Sequence, residues 1–376
     1  MKRWICVFLF FGLVVAPIVI CSRDVTAGPT TRPAADKRPV HKVNTVEQFV
    51  RAIGPNRIIQ LAPGKYPLSK AVRRKLKHVR WKKAIRDEYD LIVVDAPNLA
   101  IRGIGTKAVH LAVNAAYANV LNFEKCPGLE LANLKMGHHP YPGYCTGGVV
   151  RVEEADGVVI RKCILYGCGT EGLRLEKVKN LRFVDSIIEK CTYGILTADD
   201  AENLKFQRSV FRDNSKFHGF HFRDCIAVSF RNCTVSDNVL GGLKEPLFET
   251  NLNSDDAAIT FAGGTIERNA AAALAKPPGM VTFRKATIEG NSWDAPAAVK
   301  AKRGGKTLAD KGGWYYHVPV GEAGFWDISI GVYGRGWYSQ ALAKANPNVT
   351  EPIKPDTIIY CPQTPKKNVY PKSPQP

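Results

Sequence analysis

The chain of 376 residues lacks the long helix-periodic segments that a helical bundle or helical solenoid requires. It has ten cysteines but no pair separated by two residues, so a metal site of the CxxC type is excluded. After residue 20, no stretch is apolar enough to span a bilayer. Acidic residues are scarce, because 34 Asp and Glu stand against 53 Lys and Arg, a formal charge of +19. Such a charge favours acidic partners, although a basic surface without a specific partner is the alternative.

The N-terminus has the pattern of an export signal. Two basic residues precede an apolar run from Trp4 to Ile20, and the small-residue site Val25–Ala27 follows. This pattern predicts a signal peptide over residues 1–27. An uncleaved membrane anchor is the alternative, and lipid modification of Cys21 is disfavoured by the large residue before it. Removal of residues 1–27 takes away three basic residues and one acidic residue, which lowers the formal charge to +17. We expect a secreted or periplasmic protein that is associated with the cell envelope and has no nucleic-acid partner.

The segments that follow the signal change character in turn. Residues 28–42 are rich in proline, threonine and basic residues, which predicts a flexible leader. The segment from Val43 to Ile53 has helical periodicity, and Arg57–Leu61 is predicted as a short strand that ends at the turn Pro63–Tyr66. Residues 70–86 then hold nine Lys and Arg with apolar residues between them. This segment is predicted as a solvated basic helix or loop, with a patch that contacts a polyanion as the alternative.

The centre of the chain repeats itself. Four segments align with almost no adjustment and begin at Gly157, Asn180, Asn203 and Ala227, so the period is 23, 23 and 24 residues. Weaker copies after these segments end at Asn269 and Asn291, and earlier copies begin near Leu99 and Leu129. Apolar and polar residues alternate within each copy, which predicts short strands. A coil of this length cannot bury its apolar face alone, so the copies must stack into a β-solenoid, of about eight coils between residues 55 and 293.

Equivalent residues of successive coils stack on one another in such a fold. One column is predicted to hold Cys168, Cys191, Asn214, Asn238, Asn269 and Asn291. A second column holds the small residues Cys163, Ser186, Ser209 and Cys233. We interpret these cysteines as small buried residues. A disulfide between Cys168 and Cys191 is the alternative, because stacked strands lie about 4.8 Å apart.

The opening helix, strand and Pro-Gly-Lys-Tyr turn, followed by these coils, resemble the right-handed parallel β-helix proteins of the pectate-lyase-like superfamily. The resemblance covers residues 43–293 and implies a mostly β chain. Several families of this shape cleave polysaccharides. The hydrolase pattern is absent, because Asp199-Asp200 and Asp255-Asp256 have no Asn-Thr-Asp nearby and Gly137-His138-His139 is not Gly-His-Gly. No acidic column suggests the Ca²⁺ site of the lyases.

The C-terminal region is separated by a predicted linker over residues 294–312 and ends in a tail over 365–376 that is predicted to be disordered. Between them, residues 313–364 give the order strand, helix, helix, strand. A Gly-acid turn at Gly321-Glu322, a helix ending in Tyr-Gly and a Trp-led helix ending at Asn346 resemble the LysM family. That resemblance implies binding of an N-acetylglucosamine-containing glycan such as peptidoglycan, with contacts from Gly321, Glu322, Ala323, Gly324, Phe325, Ile353 and Lys354. This sequence departs from the family pattern at Glu322-Ala323 and at Asp356, so a degenerate module that only packs or dimerises is the alternative.

One set of polar residues suggests a site on the solenoid. The stretch from Met136 to Cys145 is an insertion rich in His and Tyr, and Gly172, Gly194, Gly219 and Gly242 are predicted to occupy matching places in later coils. Residues beside these glycines would share one outward face, including those two positions after each glycine, which are Arg174, Leu196, His221 and Lys244. The candidate catalytic residues are therefore His138, His139, Glu171, Arg174, Tyr193, His218 and His221. Tyr or His as base, Arg as a carboxylate partner and His as acid would suit β-elimination of a uronate, whereas an ordinary polar face is the alternative.

Two functions follow from this organisation. The first is an exported β-helix protein that binds peptidoglycan or a related glycan through the LysM-like unit. The second is a polysaccharide lyase, with a hydrolase less favoured, that is held near an acidic polysaccharide by the same unit. No cofactor or metal is expected, except Ca²⁺ if the protein is a lyase.

Overall fold

The computed structural model describes residues 36–85, 88–138, 147–167, 169–214, 217–240, 245–251, 259–289, 291, 314–317, 324–333, 338–354 and 357–362. The predicted signal peptide, linker and C-terminal tail lie outside these residues. The central strands are short and pair in parallel with the strands one coil earlier and one coil later. They form a parallel β-helix with three sheets, as the alternating pattern predicts. No helix within the described residues is long and apolar enough to cross a membrane.

Sheet 1 contains the most regular strands of the repeat. Its members in chain order are β1 Val40–Val43, β2 Arg57–Leu61, β6 Leu99–Gly103, β9 Glu130–Ala132, β12 Val159–Arg161, β15 Arg182–Val184, β18 Glu202–Gln207, β21 Ile226–Ser236, β23 Ile259–Glu267 and β25 Val281–Arg284. β1 begins inside the segment that is predicted as a leader. From β2 onward the stack agrees with the prediction of about eight coils.

Sheet 2 follows sheet 1 around each coil, and its later part is formed by the second halves of β21 and β23. Its other members are β3 Lys65–Pro67, β7 Val109–Val113, β10 Leu134–His138, β13 Ile164–Tyr166, β16 Ile187–Glu189, β19 Val210–Arg212 and β26 Thr287–Glu289. Sheet 3 completes the coil and carries the candidate site. It contains β4 Val79–Lys83, β5 Tyr89–Val94, β8 Leu121–Glu124, β11 Val150–Asp156, β14 Glu171–Lys179, β17 Gly194–Asp199, β20 His218–Arg223, β22 Phe248–Thr250 and β24 Ala275–Lys276.

The core lies between the three sheets and runs along the whole solenoid. Stacked aromatic rings fill its later half. The rings of Phe206 and Phe230 are 4.6 Å apart and nearly parallel, and those of Phe220 and Phe248 are 4.8 Å apart. Since each ring is fully buried, each contributes about 2–3 kcal/mol of transfer free energy to folding. The apolar positions of the period therefore become one continuous core.

The predicted asparagine column is present as a hydrogen-bonded ladder at one turn. The backbone N–H of each member donates to the side-chain oxygen of the next, from Cys191 through Asn214, Asn238 and Asn269 to Asn291, at 2.9 to 3.2 Å. The ladder satisfies buried turn amides that no strand can reach. Cys168 lies outside the described residues, but Cys191 has a free, buried thiol, so the alternative of a disulfide between them is not met.

The predicted column of small residues is present at a second turn. The Cys163 N–H donates to the Ser186 hydroxyl at 3.0 Å, and the Ser186 N–H donates to the Ser209 hydroxyl at 3.3 Å. Burial raises the pKa of the Cys163 thiol to about 12 and that of Cys233 to about 11. Both thiols are therefore protonated at neutral pH and act as small apolar side chains.

A helix closes the N-terminal end of the solenoid. α1 spans Val46–Ala52, and the Thr45 hydroxyl caps it by accepting from the Gln48 N–H. Its apolar face, which includes Phe49 and Val50, is buried in the core. The prediction of a helix over 43–53 is thus met with slightly narrower bounds.

The basic segment differs from its prediction at β4, whereas most of residues 71–78 is an exposed loop, as predicted. A 3₁₀ turn spans Leu68–Lys70, and β4 then pairs antiparallel with β5. Buried Val79 and half-buried Trp81 alternate with exposed Arg80 and Lys82, which is the period of a strand. The interpretation of this part as a helix or loop was wrong because its high charge hides the alternation.

The C-terminal elements occur in the order strand, helix, helix, strand. β27 (Trp314–His317) pairs antiparallel with β28 (Ile358–Cys361), and between them lie α2 (Phe325–Tyr333) and α3 (Ser339–Ala345). A small apolar cluster joins the helices to β28 and contains Phe325, Ile328, Leu342, Ile353, Ile359 and Cys361. The Asn346 side chain ties the end of α3 to β28, because its amide donates to the Tyr360 carbonyl and its oxygen accepts from the Tyr360 N–H, both at 2.8 Å.

Candidate functional site

The outward face of sheet 3 carries a cavity of about 410 Å³, called the groove below. It is lined by Asn119, Gly148, Val150, Arg151, Thr170, Glu171, Arg174 and Tyr193. Three of the candidate residues, Glu171, Arg174 and Tyr193, therefore share one cavity. Asn119 and Arg151 are further polar lining residues that sequence reasoning missed.

The register of sheet 3 explains how Arg151 could have been found. Arg151 on β11 pairs with Arg174 on β14, and the column continues through Thr197 and His221 to Glu249. All five side chains point outward because the residues that flank them along each strand are interior. A search one coil earlier at the position of Arg174 would have identified Arg151.

Two glycines allow Glu171 and Arg174, and likewise His218 and His221, to face the same side. A Cβ at Gly172 would lie 2.3 Å from the Ile188 Cγ2 atom, so the backbone there packs directly against the core. A Cβ at Gly219 would lie 2.2 Å from the Leu247 carbonyl oxygen. A side chain is excluded at both places, and the flanking residues three apart both turn outward.

β17, which lies between β14 and β20 in sheet 3, does not follow the predicted alignment of the glycines. Gly194 pairs with Glu171 and with His218, whereas Gly172 and Gly219 lie one position further along. Leu196, which the sequence alignment placed with Arg174, is consequently a fully buried interior residue. A slip of one residue reverses the face of every side chain in a strand, so this part of the alignment was wrong. Lys244 and Gly242 lie outside the described residues.

Arg174 lies between two carboxylates that it does not hold tightly. Its Nη1 atom is 3.4 Å from Glu171 Oε1, and its Nη2 atom is 3.5 Å from Asp199 Oδ2. Arg151 is held more closely, because its Nη2 atom is 3.0 Å from Glu153 and 2.9 Å from Glu176. The Arg174 guanidinium has five N–H donors, so most of its donor capacity can serve a ligand in the groove.

Glu171 is the most buried charged residue of the groove, with 7% of its surface exposed. The Thr197 hydroxyl donates to its Oε1 atom at 3.3 Å, the atom that also contacts Arg174. A buried carboxylate needs partners of this kind to be stable in its charged form. Glu171 therefore lies beneath Arg174 and contacts it only through a long interaction.

Tyr193 stands at the edge of the groove and is 41% exposed. Its ring packs edge-on against His218, with 5.2 Å between centroids, and contacts Phe217 at 5.1 Å. His218 is in turn 5.9 Å from His221. Burial lowers the pKa of His221, and the nearby Glu249 carboxylate opposes that shift. The structure thus brings Tyr193, His218 and His221 into one contiguous row beside Arg174.

His138 does not belong to this row. It is 1% exposed, and its Nε2 atom donates to the Ala118 carbonyl at 2.9 Å. Burial lowers the pKa of His138, which keeps the ring neutral. The expectation that its imidazole lines the groove was wrong, because the chain turns it under Gly147. His139 lies outside the described residues.

The carboxylates beside the groove are already paired with arginine. Glu153 and Glu176 contact Arg151, and Asp199 contacts both Arg174 and Arg223. Ca²⁺ requires several oxygen ligands that are not neutralised by cations. This row of carboxylates does not fit a Ca²⁺ site, so no step of a reaction is assigned to that ion.

The residues predicted from the LysM resemblance to bind a glycan include both buried and exposed side chains. Phe325 and Ile353 are buried in the apolar cluster, which makes them core residues, while Lys354 is exposed. Gly324 donates its N–H to Asp327, and the Glu351 carboxylate accepts from the Phe325 N–H. Gly321, Glu322 and Ala323 lie outside the described residues.

Comparison with known proteins supports the fold. The family model described as "Right handed beta helix region" matches residues 143–307. No curated protein matches the sequence.

Solved structures of similar shape include two lyases. An alginate lyase from Paenibacillus sp. str. FPU-7 has 13% sequence identity and a TM-score of 0.37, over 66% of this chain and 99% of that chain. A pectate lyase (pelN) from Paenibacillus sp. 0602 has 7% identity and a TM-score of 0.33, over 69% of this chain and 85% of that chain. Similarity at this level concerns the fold alone. The family model and the parallel strand pairing together indicate that the solenoid is a right-handed parallel β-helix.

Proposed function

We propose that the groove binds an acidic polysaccharide and cleaves it by β-elimination. The observation that carries this proposal is the convergence of Arg174, Glu171 and Tyr193 in one cavity on an otherwise regular sheet. A uronate unit needs a cation for its carboxylate and a group that transfers a proton at the adjacent carbon. Both are present within the same groove.

Arg174 is the proposed partner of the substrate carboxylate. Its contacts with Glu171 and Asp199 are long, so a substrate carboxylate would gain a charge-assisted, bidentate contact without breaking a tight ion pair. Neutralising that carboxylate stabilises the negative charge that develops when the proton on the adjacent carbon is removed. Arg151, one coil earlier, would bind a neighbouring unit of the chain.

Tyr193 is the proposed proton-transfer group. It is exposed to the groove, whereas the Nδ1 atom of His218 is closed off from solvent. In the reaction, the proton leaves the carbon next to the carboxylate, its electron pair forms a carbon–carbon double bond, and the glycosidic oxygen departs and is protonated. A tyrosinate oxygen that accepts the first proton becomes a hydroxyl, which can deliver that proton to the departing glycosidic oxygen, so one residue can serve both steps.

The direct test is a screen of acidic polysaccharides for an unsaturated product, followed by ultraviolet absorbance. On the polymer that is cleaved, we expect Tyr193→Phe to lower kcat by about 10²- to 10⁴-fold.

We expect Arg174→Lys to lower kcat/KM by about 10²-fold, because lysine cannot reproduce a bidentate contact.

Matched controls lie on the outward face of sheet 2. Tyr166→Phe removes a hydroxyl that contacts His110, and Arg212→Lys alters an arginine that pairs with Glu189 one coil earlier. Both should retain wild-type activity. Absence of an unsaturated product from every polymer, or equal losses in the control variants, would contradict the proposal.

A second candidate function is attachment to a glycan through the C-terminal unit. It is favoured by the strand, helix, helix, strand order with antiparallel pairing of β27 and β28, which is the order of the LysM resemblance. On this proposal the chain is exported and held at peptidoglycan or a related N-acetylglucosamine polymer.

Co-sedimentation of the whole protein with peptidoglycan tests this second function. Lys354→Ala should weaken retention more than Lys344→Ala, an equally exposed lysine in the last turn of α3; equal retention would exclude Lys354 from the contact.

A further inference from the structure

We propose that His218, His221 and Glu249 form a binding site for one divalent transition-metal ion, of which Zn²⁺ is the best representative. One potential ligand atom from each residue lies within 4.8 Å of the other two. Within the described part of the chain, this is the group of histidine, cysteine and acidic residues that meets such a criterion. The site does not depend on the proposed lyase activity.

The sheet builds this cluster from neighbouring strands. His221 on β20 is paired directly with Glu249 on β22, so their side chains stand side by side on the outward face. His218 joins them because Gly219 packs against the Leu247 carbonyl and lets residues 218 and 221 both turn outward. The two imidazole rings are then 5.9 Å apart. The three side chains come from rigid strands, which limits what must move when an ion binds.

The distances require only small side-chain rotations. Metal–nitrogen and metal–oxygen bonds of Zn²⁺ are about 2.0–2.2 Å, so the ligand atoms of a tetrahedral site lie about 3.4 Å apart. The atoms of this cluster are at most 4.8 Å apart. A closure of about 1.4 Å at most lies within the reach of χ rotations of half-buried histidine and glutamate side chains.

The ligand types select the class of ion. Two imidazoles and one carboxylate suit Zn²⁺ and its transition-metal neighbours, whereas Ca²⁺ and Mg²⁺ prefer oxygen ligands alone. Three protein ligands leave a fourth position open to water or to another ligand. Tyr193 lies next to the cluster, since its ring contacts His218.

A second observation concerns the Nδ1 atom of His218, which leaves Nε2 as the proposed ligand atom. Its Nδ1 atom is buried and has no hydrogen-bond partner, while the Glu245 Oε2 atom lies 3.9 Å away. Histidines that bind a metal usually donate their other N–H to a carboxylate, which orients the ring. Glu245 is placed for this role, and the contact would shorten when the ion fixes His218.

The test is calorimetric titration of the whole, untagged protein after chelator treatment, with Zn²⁺, Co²⁺ and Ca²⁺ in parallel and no polysaccharide present. We expect one equivalent of Zn²⁺, visible absorption bands from bound Co²⁺ and no heat from Ca²⁺. His221→Ala and Glu249→Gln should each weaken Zn²⁺ binding by more than about tenfold. His41→Ala, which removes an exposed histidine on β1, should leave it unchanged.

The outcomes separate this site from the groove. Glu249→Gln keeps the size of the side chain, so it decides the question even if His221→Ala fails to fold. Loss of Zn²⁺ binding in the cluster variants alone supports the site, whether or not any polysaccharide is cleaved. Absence of binding, or equal affinity in Glu249→Gln and in the wild type, overturns it.

Discussion

Two columns of side chains run along this solenoid, and they differ in one respect. The buried ladder presents the same amide in coil after coil, from Asn214 to Asn291. The outward column of sheet 3 changes at every coil, from Arg151 through Arg174, Thr197 and His221 to Glu249. Identical residues stack where the only task is to satisfy the backbone. The residue type changes from coil to coil in the outward column, where side chains can bind a ligand. This change of residue type therefore indicates the candidate site.

The largest effect is expected when the repeated column is interrupted. Asn238→Ala should lower the free energy of unfolding by about 3 kcal/mol, because it leaves the buried Asn214 N–H and the Phe211 carbonyl without their partner. Chemical denaturation followed by circular dichroism measures this. Lys205→Ala, an exposed residue of the preceding coil, should change the same quantity by less than about 0.5 kcal/mol. A small effect of Asn238→Ala would mean that the hydrogen bonds of the ladder contribute little to the free energy of unfolding.

An intermediate effect is expected from the glycine that supports the diverging column. Gly219→Ala should lower the free energy of unfolding by about 2 kcal/mol and reduce Zn²⁺ binding, because a Cβ would collide with the Leu247 carbonyl.

Gly194→Ala is its matched control. The added Cβ would approach only the Glu171 side chain, at 3.3 Å, and the His218 Cβ, at 3.9 Å. It should change stability by less than about 1 kcal/mol. If both variants are equally stable, the inward packing at Gly219 is not what turns His218 and His221 to the same side.

The smallest effect concerns pH and a histidine that belongs to neither column. The pKa of His138 is lowered in the folded protein, mainly by burial. The unfolded chain therefore takes up a proton that the folded chain does not, once the pH falls below the ordinary histidine value of about 6.5. Stability that is present above this pH should be lost as the pH falls toward the lower folded value.

His138→Gln should flatten this dependence, since glutamine can still donate to the Ala118 carbonyl but does not titrate. Unfolding curves at several pH values measure the slope, with the exposed His41→Gln as the control. An unchanged slope in His138→Gln would assign the pH dependence to other groups.

The period was readable from the sequence because ladder positions tolerate few residue types. Asn214, Asn238 and Asn269 repeat visibly, and the number of coils follows from them. The register within sheet 3 was less accessible. The glycines that guided the alignment occupy different positions in the sheet. Gly172 and Gly219 pack inward, whereas Gly194 pairs directly with Glu171. The two kinds of glycine can be distinguished only from the pairing of the strands.

The site was predicted in part for the same reason. Glu171, Arg174, His218 and His221 do share one face, because Glu-Gly-x-Arg recurs as His-Gly-x-His with an inward-packed glycine in each copy. Tyr193 lies beside them through its contact with His218. The burial of His138 depends on which way a turn directs the last residue of β10, and no local pattern of residues determines that. The acidic partner Glu249 was missed because an insertion separates it from the regular period.

The basic strand β4 has a further consequence at the end of the solenoid. It forms the N-terminal margin of sheet 3 and runs antiparallel to β5, with exposed Arg80, Lys82 and Lys83 along it. A solenoid made of identical hydrogen-bonding rungs is a template on which another chain can add its own strand. Positive charge on the terminal rung, together with α1 over the adjoining core, repels such an addition. We therefore expect this strand to oppose the addition of a further strand at this end of sheet 3.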